Sequence, residues 1–123
     1  MPWIGLPEVL ARASAVVCHG GSGTTLATLA AGLPLVVVPL LADQPANAAM
    51  VEDLGAGIVV RSTASTGHGL QGLDATDVPR IRGAIEAVLA DTSYARSAQR
   101  IGHALAERPH VSDVLHALRV GRR

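Results

Sequence analysis

Aromatic residues are almost absent from this sequence, which contains no Phe, one Trp and one Tyr among its 123 residues. The interior is therefore expected to be packed from Ala, Val, Leu and Ile, with Trp3 and Tyr94 as the only large rings. Trp3 stands near the start of the chain, ahead of the first apolar segments. This lone indole is a candidate functional residue, with an ordinary core aromatic as the alternative.

The sequence also contains only one cysteine and carries no net charge. The single Cys18 excludes an internal disulfide, and the first residues lack the pattern of a secretory signal. Ten basic residues balance ten acidic ones, so neither nucleic acid nor an anionic membrane is an expected partner. The longest apolar run, residues 33–42, contains two prolines and is far shorter than the roughly 20 residues that span a bilayer. These absences together predict a soluble, cytoplasmic protein.

Neither a metal site nor a Cys-His catalytic pair is predicted. Cys18 and His19 are adjacent in an expected strand, so their side chains point to opposite faces. Four other histidines lack the spacing of metal ligands. They are His68, His103, His110 and His116.

The apolar pattern predicts an α/β domain in which short buried strands alternate with helices. Strands are expected at 14–18, 35–39 and 58–60, and helices at 6–13, 24–31, 47–54, 78–89, 93–106 and 111–120, with a surface loop over 61–77. This alternation indicates a parallel sheet with right-handed crossovers and a helical C-terminal third. Three strands are few for a doubly wound sheet, so residues 1–123 are interpreted as a single partial domain with an unpaired sheet edge.

A glycine-rich turn lies between the first strand and the helix that follows it. Gly20, Gly21 and Gly23 allow close approach of the backbone to a ligand, and a helix N-terminus favours an anion. A phosphate-bearing ligand is the functional interpretation, and a tight turn without any ligand is the alternative. The turn has neither the Lys of a P-loop nor the Gly-x-Gly-x-x-Gly spacing of a dinucleotide fold.

A wider set of motifs surrounds this turn. It comprises Trp3, the segment 19–25, Gly32-Leu33-Pro34, Pro39, Asp43-Gln44, Asn47-Ala48 and Gly55-x-Gly57. Over residues 3–60 this set resembles the donor-binding signature of GT-B glycosyltransferases. It is most similar to the bacterial, UDP-glucuronosyltransferase-like branch that glycosylates macrolides, polyketides and related natural products. The resemblance implies a Rossmann-like, three-layer half-domain that binds a nucleotide-sugar donor.

The resemblance also implies roles for individual residues. Trp3 would stack on the nucleobase, and Asp43 with Gln44 would bind the hydroxyls of the donor sugar. His19 and the turn after it would hold the pyrophosphate, with the hydroxyls of this turn adding donors. These turn residues are Gly20, Gly21, Ser22, Gly23, Thr24 and Thr25. Taken without the resemblance, Asp43-Gln44 is interpreted as a helix cap.

Two positions depart from the family pattern. Gly5 stands where Pro often follows the Trp, and Ala27 stands where many relatives place a Glu that grips both ribose hydroxyls. Because a carboxylate of that kind loses much of its purpose on 2′-deoxyribose, Ala27 favours a dTDP-sugar over a UDP-sugar donor. The resemblance implies no cofactor and no metal, since the turn itself would neutralise the leaving group.

In the family, the general base is a His of the N-terminal, acceptor-binding domain, and no segment of this chain corresponds to it. We therefore expect no catalytic residue here, an inactive isolated chain, and an acceptor-binding domain or subunit as partner, with self-association through the open edge. Two alternatives remain at this point. They are a stand-alone nucleotide-binding or regulatory module and a fragment of a nucleotide-sugar epimerase.

Overall fold

A computed structural model of the chain describes residues 3–62, 73–108, 116, 118 and 119. Three strands alternate with four helices along these residues, and a fifth helix follows the fourth directly. The strands are β1 (Val16–Cys18), β2 (Leu35–Val37) and β3 (Gly57–Val59). The helices are α1 (Leu6–Leu10), α2 (Ser22–Ala30), α3 (Gln44–Asp53), α4 (Asp77–Ala90) and α5 (Thr92–Ala106).

The strands form one parallel sheet in the order β1-β2-β3. Val17 of β1 pairs with Val36 of β2, which pairs with Ile58 of β3. All residues of β2 are buried because this strand has neighbours on both sides and helices on both faces. The predicted α/β class with a parallel sheet is confirmed.

Helices cover both faces of the sheet, so the domain has three layers. One core cluster joins α2, α3 and α5 to the sheet through Leu29, Val51, Ala98 and neighbouring residues. A second cluster lies on the opposite face, where α4 contributes Ala84 and Val88. Both clusters consist of aliphatic residues and Ala, as the scarcity of aromatics predicts.

Helix α5 approaches α2 closely because a glycine lies at their contact. A Cβ added to Gly102 would lie 2.9 Å from the carbonyl oxygen of Leu29. Only a residue without a side chain allows this separation, and the amphipathic α5 thereby covers α2. Among the helices that the structure describes, none is long and apolar enough to cross a bilayer.

Helix boundaries differ from the predictions mainly at the N-termini. Helix α2 begins at Ser22 rather than at 24, and α3 begins at Gln44 rather than at 47. Pro45 accounts for the second difference, because its fixed φ suits the first turn of a helix. Helix α1 ends at Leu10, three residues early. The predicted helix at 111–120 and most of the loop at 61–77 lie outside the described residues, apart from a few positions.

Candidate functional site

The candidate site lies where β1 and β2 end and α2 and α3 begin. β1 ends at Cys18 and leads through the glycine turn into α2, while β2 ends at Val37 and leads into α3 at Gln44. Because parallel strands present their carboxyl ends at the same edge, these two segments meet there. The structure thus brings the segment 19–25 together with Asp43 and Gln44.

Gly20 packs the turn tightly against β2 and α3. Its φ is +94°, and an added Cβ would lie 2.9 Å from Cγ1 of Val37 and 3.1 Å from the carbonyl oxygen of Gln44. Both the backbone conformation and the lack of space therefore require glycine at this position.

The N-terminus of α2 is open to a ligand. Gly21 occupies the N-cap position and supplies no side-chain cap, and the first helical hydrogen bond runs from the amide of Thr25 to Gly21. The amides of residues 22–24 precede that bond and have no acceptor within the helix. These amides and the positive end of the helix dipole favour an anion.

His19 is exposed beside this helix end, and its ring is held by the turn. The amide of Gly21 donates a hydrogen bond of 2.9 Å to Nδ1 of His19. A neutral imidazole that accepts at Nδ1 carries its hydrogen on Nε2. The ring therefore offers an N–H donor to a ligand.

Cys18 belongs to the core rather than to the site. It packs against the cluster formed by α2, α3 and α5, and burial raises the pKa of its thiol. A thiol with a raised pKa is a poor nucleophile, which agrees with the interpretation of Cys18 as a small hydrophobic residue.

The hydroxyls of the turn are less open to a ligand than its amides. Ser22 Oγ donates to Oδ2 of Asp43 at 2.9 Å, which uses its only hydrogen. The side chain of Thr25 is buried next to Cys18, and Thr24 is half-buried with its carbonyl accepting from Thr28 Oγ1. The backbone is therefore the main source of donors in this turn.

Asp43 and Gln44 differ in their exposure and partners. Gln44 is buried, and its Oε1 accepts from the amides of Leu40 and Leu41, each at 3.0 Å. Its Nε2 is left as a donor. Asp43 is exposed and occupies the N-cap position of α3, yet its side chain makes no capping bond. Asp43 thus occupies the cap position that the alternative predicts but does not cap the helix with its side chain, and its Oδ1 remains as an acceptor.

Trp3 is 96% exposed, so the alternative of a core aromatic is wrong. An apolar groove of about 600 Å³ lies between α1 and α2. Leu6 and Leu10 line one wall, and Ala27 and Leu33 line the other. The structure thus places Ala27 in this groove, whose first lining residues follow Trp3 closely in the sequence.

The sequence predicts no role for one polar residue of the site. Asn47 Nδ2 donates to the carbonyl oxygen of Gly20 at 2.7 Å and to Ser22 Oγ at 3.2 Å. The only sequence signal for it is its place among the motifs of the family resemblance. Within the described part of the chain, no group of three His, Cys, Asp or Glu residues is arranged to hold a metal ion.

Comparison with known proteins identifies the family. Residues 1–120 match the model of the erythromycin biosynthesis protein CIII-like, C-terminal domain. The chain belongs to this family. The resemblance to GT-B glycosyltransferases of natural-product biosynthesis is thereby confirmed.

Individual glycosyltransferases align with nearly the whole chain. The elloramycin glycosyltransferase ElmGT of Streptomyces olivaceus is 41% identical over 93% of the chain and 25% of its own length. The L-demethylnoviosyl transferase of Streptomyces niveus is 34% identical over 94% of the chain and 27% of its own length. The spinosyn rhamnosyltransferase SpnG, solved in complex with thymidine diphosphate, matches with a TM-score of 0.77 and 28% identity over 94% of the chain and 29% of SpnG. The chain thus spans about a quarter of the length of these relatives.

Proposed function

We propose that this chain binds the nucleotide diphosphate-sugar donor of an inverting glycosyltransferase that acts on a small natural-product acceptor. The observation that carries the proposal is the open N-terminus of α2 beside His19, whose Nδ1 is held by the Gly21 amide. A diphosphate placed there accepts hydrogen bonds from the amides of residues 22–24 and from His19 Nε2. Both kinds of donor are in place before the ligand arrives.

These donors act on the leaving group of the transfer. The acceptor oxygen attacks the anomeric carbon, the bond from that carbon to the β-phosphate oxygen breaks, and the electron pair remains on the nucleotide diphosphate. Preorganised N–H groups stabilise the charge that develops on this oxygen. The proton of the acceptor hydroxyl goes to a general base, which we assign to an acceptor-binding domain or subunit that faces this one.

The nucleoside is proposed to lie toward Trp3 and the groove between α1 and α2. The exposed indole offers a flat face to a pyrimidine. Ala27 gives the groove an apolar wall without a carboxylate for a 2′-hydroxyl. This chemistry favours dTDP over UDP, and the thymidine diphosphate bound to the related SpnG supports the same choice.

The sugar is proposed to contact Asp43 and Gln44 at the other side of the turn. Asp43 Oδ1 accepts from a hydroxyl, and Gln44 Nε2 donates to one. Two bonds from the amides of Leu40 and Leu41 hold the Gln44 carboxamide in place, so its remaining N–H groups have a defined direction.

Calorimetric titration of the full chain with dTDP, UDP and thymidine tests the proposal. We expect dTDP to bind at the turn, more tightly than thymidine, because only the diphosphate reaches the amides of α2. A folded sample that binds no nucleotide at millimolar concentration contradicts the donor site. Adding an acceptor-binding domain of a relative then separates a transferase from a stand-alone nucleotide-binding module, because only the transferase consumes the donor sugar.

A further inference from the structure

The start of α3 is tied to the glycine turn by two side chains. Asn47 Nδ2 donates to Gly20 O at 2.7 Å and to Ser22 Oγ at 3.2 Å, while Ser22 Oγ donates to Asp43 Oδ2 at 2.9 Å. Asn47 Nδ2 also lies 3.4 Å from Asp43 Oδ2. We call Gly20, Ser22, Asp43 and Asn47 the turn clamp.

Asn47 is the centre of the clamp. Its amide nitrogen carries two hydrogens and faces three acceptors, of which Gly20 O is the nearest. Gly20 O belongs to the residue at φ +94°, and Ser22 is the first residue of α2. Asn47 thus holds the turn on both sides of Gly21, the residue whose amide orients His19.

The clamp joins the diphosphate part of the proposed donor site to its sugar part. The segment 20–22 leads directly into the amides proposed for the diphosphate, and Asp43 is the carboxylate proposed for the sugar. Ser22 and Asp43 are 21 residues apart in sequence, and this tertiary contact ties the start of α2 directly to the start of α3. Losing it lets the turn move relative to α3.

We propose that Asn47 is a positioning residue for donor binding, which fixes the direction of the α2 amides and of the Asp43 carboxylate without touching the donor itself. This inference rests on the proposed function. Its physical basis is preorganisation, since a turn that is already held pays no ordering cost when the diphosphate binds.

Hydrogen exchange of the ligand-free chain gives the first test. The amides of Gly21 and Thr25 are bonded within the turn, so their exchange reports its opening. In Asn47→Ala we expect the amides of Gly21 and Thr25 to exchange about tenfold faster, which corresponds to the loss of one net hydrogen bond. The amide of Val60, which is bonded to Val37, should keep its exchange rate. Unchanged exchange at Gly21 and Thr25 overturns the clamp, whatever the chain binds.

Nucleotide titration gives the second test. Asn47→Ala is expected to weaken dTDP binding about five- to tenfold and to leave thymidine binding unchanged. Asn47→Asp keeps the size of the side chain but removes both amide hydrogens and adds a charge beside Asp43. It should therefore weaken dTDP binding more than Asn47→Ala does. A purely structural defect lowers both affinities together.

Val51→Ala is the matched control, because Val51 is fully buried one turn further along α3 and lies outside the clamp. It should lower the free energy of unfolding but keep the ratio of dTDP to thymidine affinity. Equal dTDP affinity in Asn47→Ala and wild type overturns the positioning role and leaves the proposed function standing. Wild type that binds no dTDP instead overturns the proposed function together with the positioning role, and the exchange data still decide the clamp.

Discussion

The Gly21 amide donates to Nδ1 of His19 at 2.9 Å, although the two residues are only two positions apart. This local bond selects the ring tautomer with its hydrogen on Nε2 and holds the imidazole against the turn. His19 is therefore oriented by its own segment, so its donor direction is set before any ligand binds.

Replacing His19 removes one donor to the diphosphate. We expect His19→Ala to weaken dTDP binding by about 1.5 to 3 kcal/mol, the range for a hydrogen bond to a charged group. Calorimetry measures this difference. His103→Ala, on the exposed face of α5, is the control and should bind like wild type. An unchanged affinity for His19→Ala removes His19 from the assignment.

Gly20 is the position in the turn where any side chain is expected to be costly. Gly20→Ala forces a non-glycine residue to φ +94° and presses its Cβ against Val37 and the Gln44 carbonyl. We expect a loss of roughly 1 to 3 kcal/mol in the free energy of unfolding, the usual cost of such a conformation. Chemical denaturation measures it.

Gly83→Ala is the matched control for this change. Gly83 lies inside α4, and an added Cβ there has no neighbour within 4 Å. Because Ala is the better helix former, this variant should gain about 0.5 to 1 kcal/mol. If Gly20→Ala and Gly83→Ala change the free energy of unfolding by the same amount, Gly20 is not tightly packed in the turn.

The architecture could be predicted because its signals are local. Short buried runs bounded by glycine and proline mark the strands, and Gly32 with Pro34 marks a helix end regardless of tertiary contacts. The sequence predicts the start of α3 at 47 rather than at Gln44 because apolar periodicity begins late in this helix, while Pro45 already permits its first turn. Propensity and period therefore located α3 as a helix without locating its first residue.

The backbone of the candidate site could be predicted from the sequence, but the contacts between its side chains could not. The glycines identified the turn, since close approach and positive φ are properties of single residues. The bond from Ser22 to Asp43 joins residues 21 positions apart, and no sequence period reports such a pair. For the same reason the sequence predicts no role for Asn47, and it predicts a hydroxyl donor at Thr25 although that side chain is buried.

Ala27 allows a test of nucleoside preference. Because it lines the groove without a carboxylate, we expect dTDP to bind more tightly than UDP by about 1 kcal/mol, the scale of one hydrogen bond. Ala27→Glu restores acceptors for the ribose hydroxyls and should narrow or reverse this margin. Competition between the two nucleotides measures it.

The control for Ala27→Glu is Ala104→Glu, which places the same charge at an exposed position of α5 outside the groove. It should leave the preference unchanged. A clear preference of the wild-type chain for UDP means that Ala27 does not determine the nucleoside.

The isolated chain should self-associate and fail to transfer sugar. β1 is an edge of the sheet, and Val17 at its centre is 48% exposed. Ile4 and Leu26 are exposed apolar residues as well. An open edge strand offers unpaired backbone groups, and exposed apolar side chains favour association. Val17→Lys should therefore shift the chain toward monomer in light scattering, whereas Val78→Lys on α4, which is 53% exposed, should not.

Transfer assays on the same samples should detect no product, because we find no base for the acceptor hydroxyl among the described residues. A stable monomer that transfers sugar would contradict both expectations and require a base within this chain.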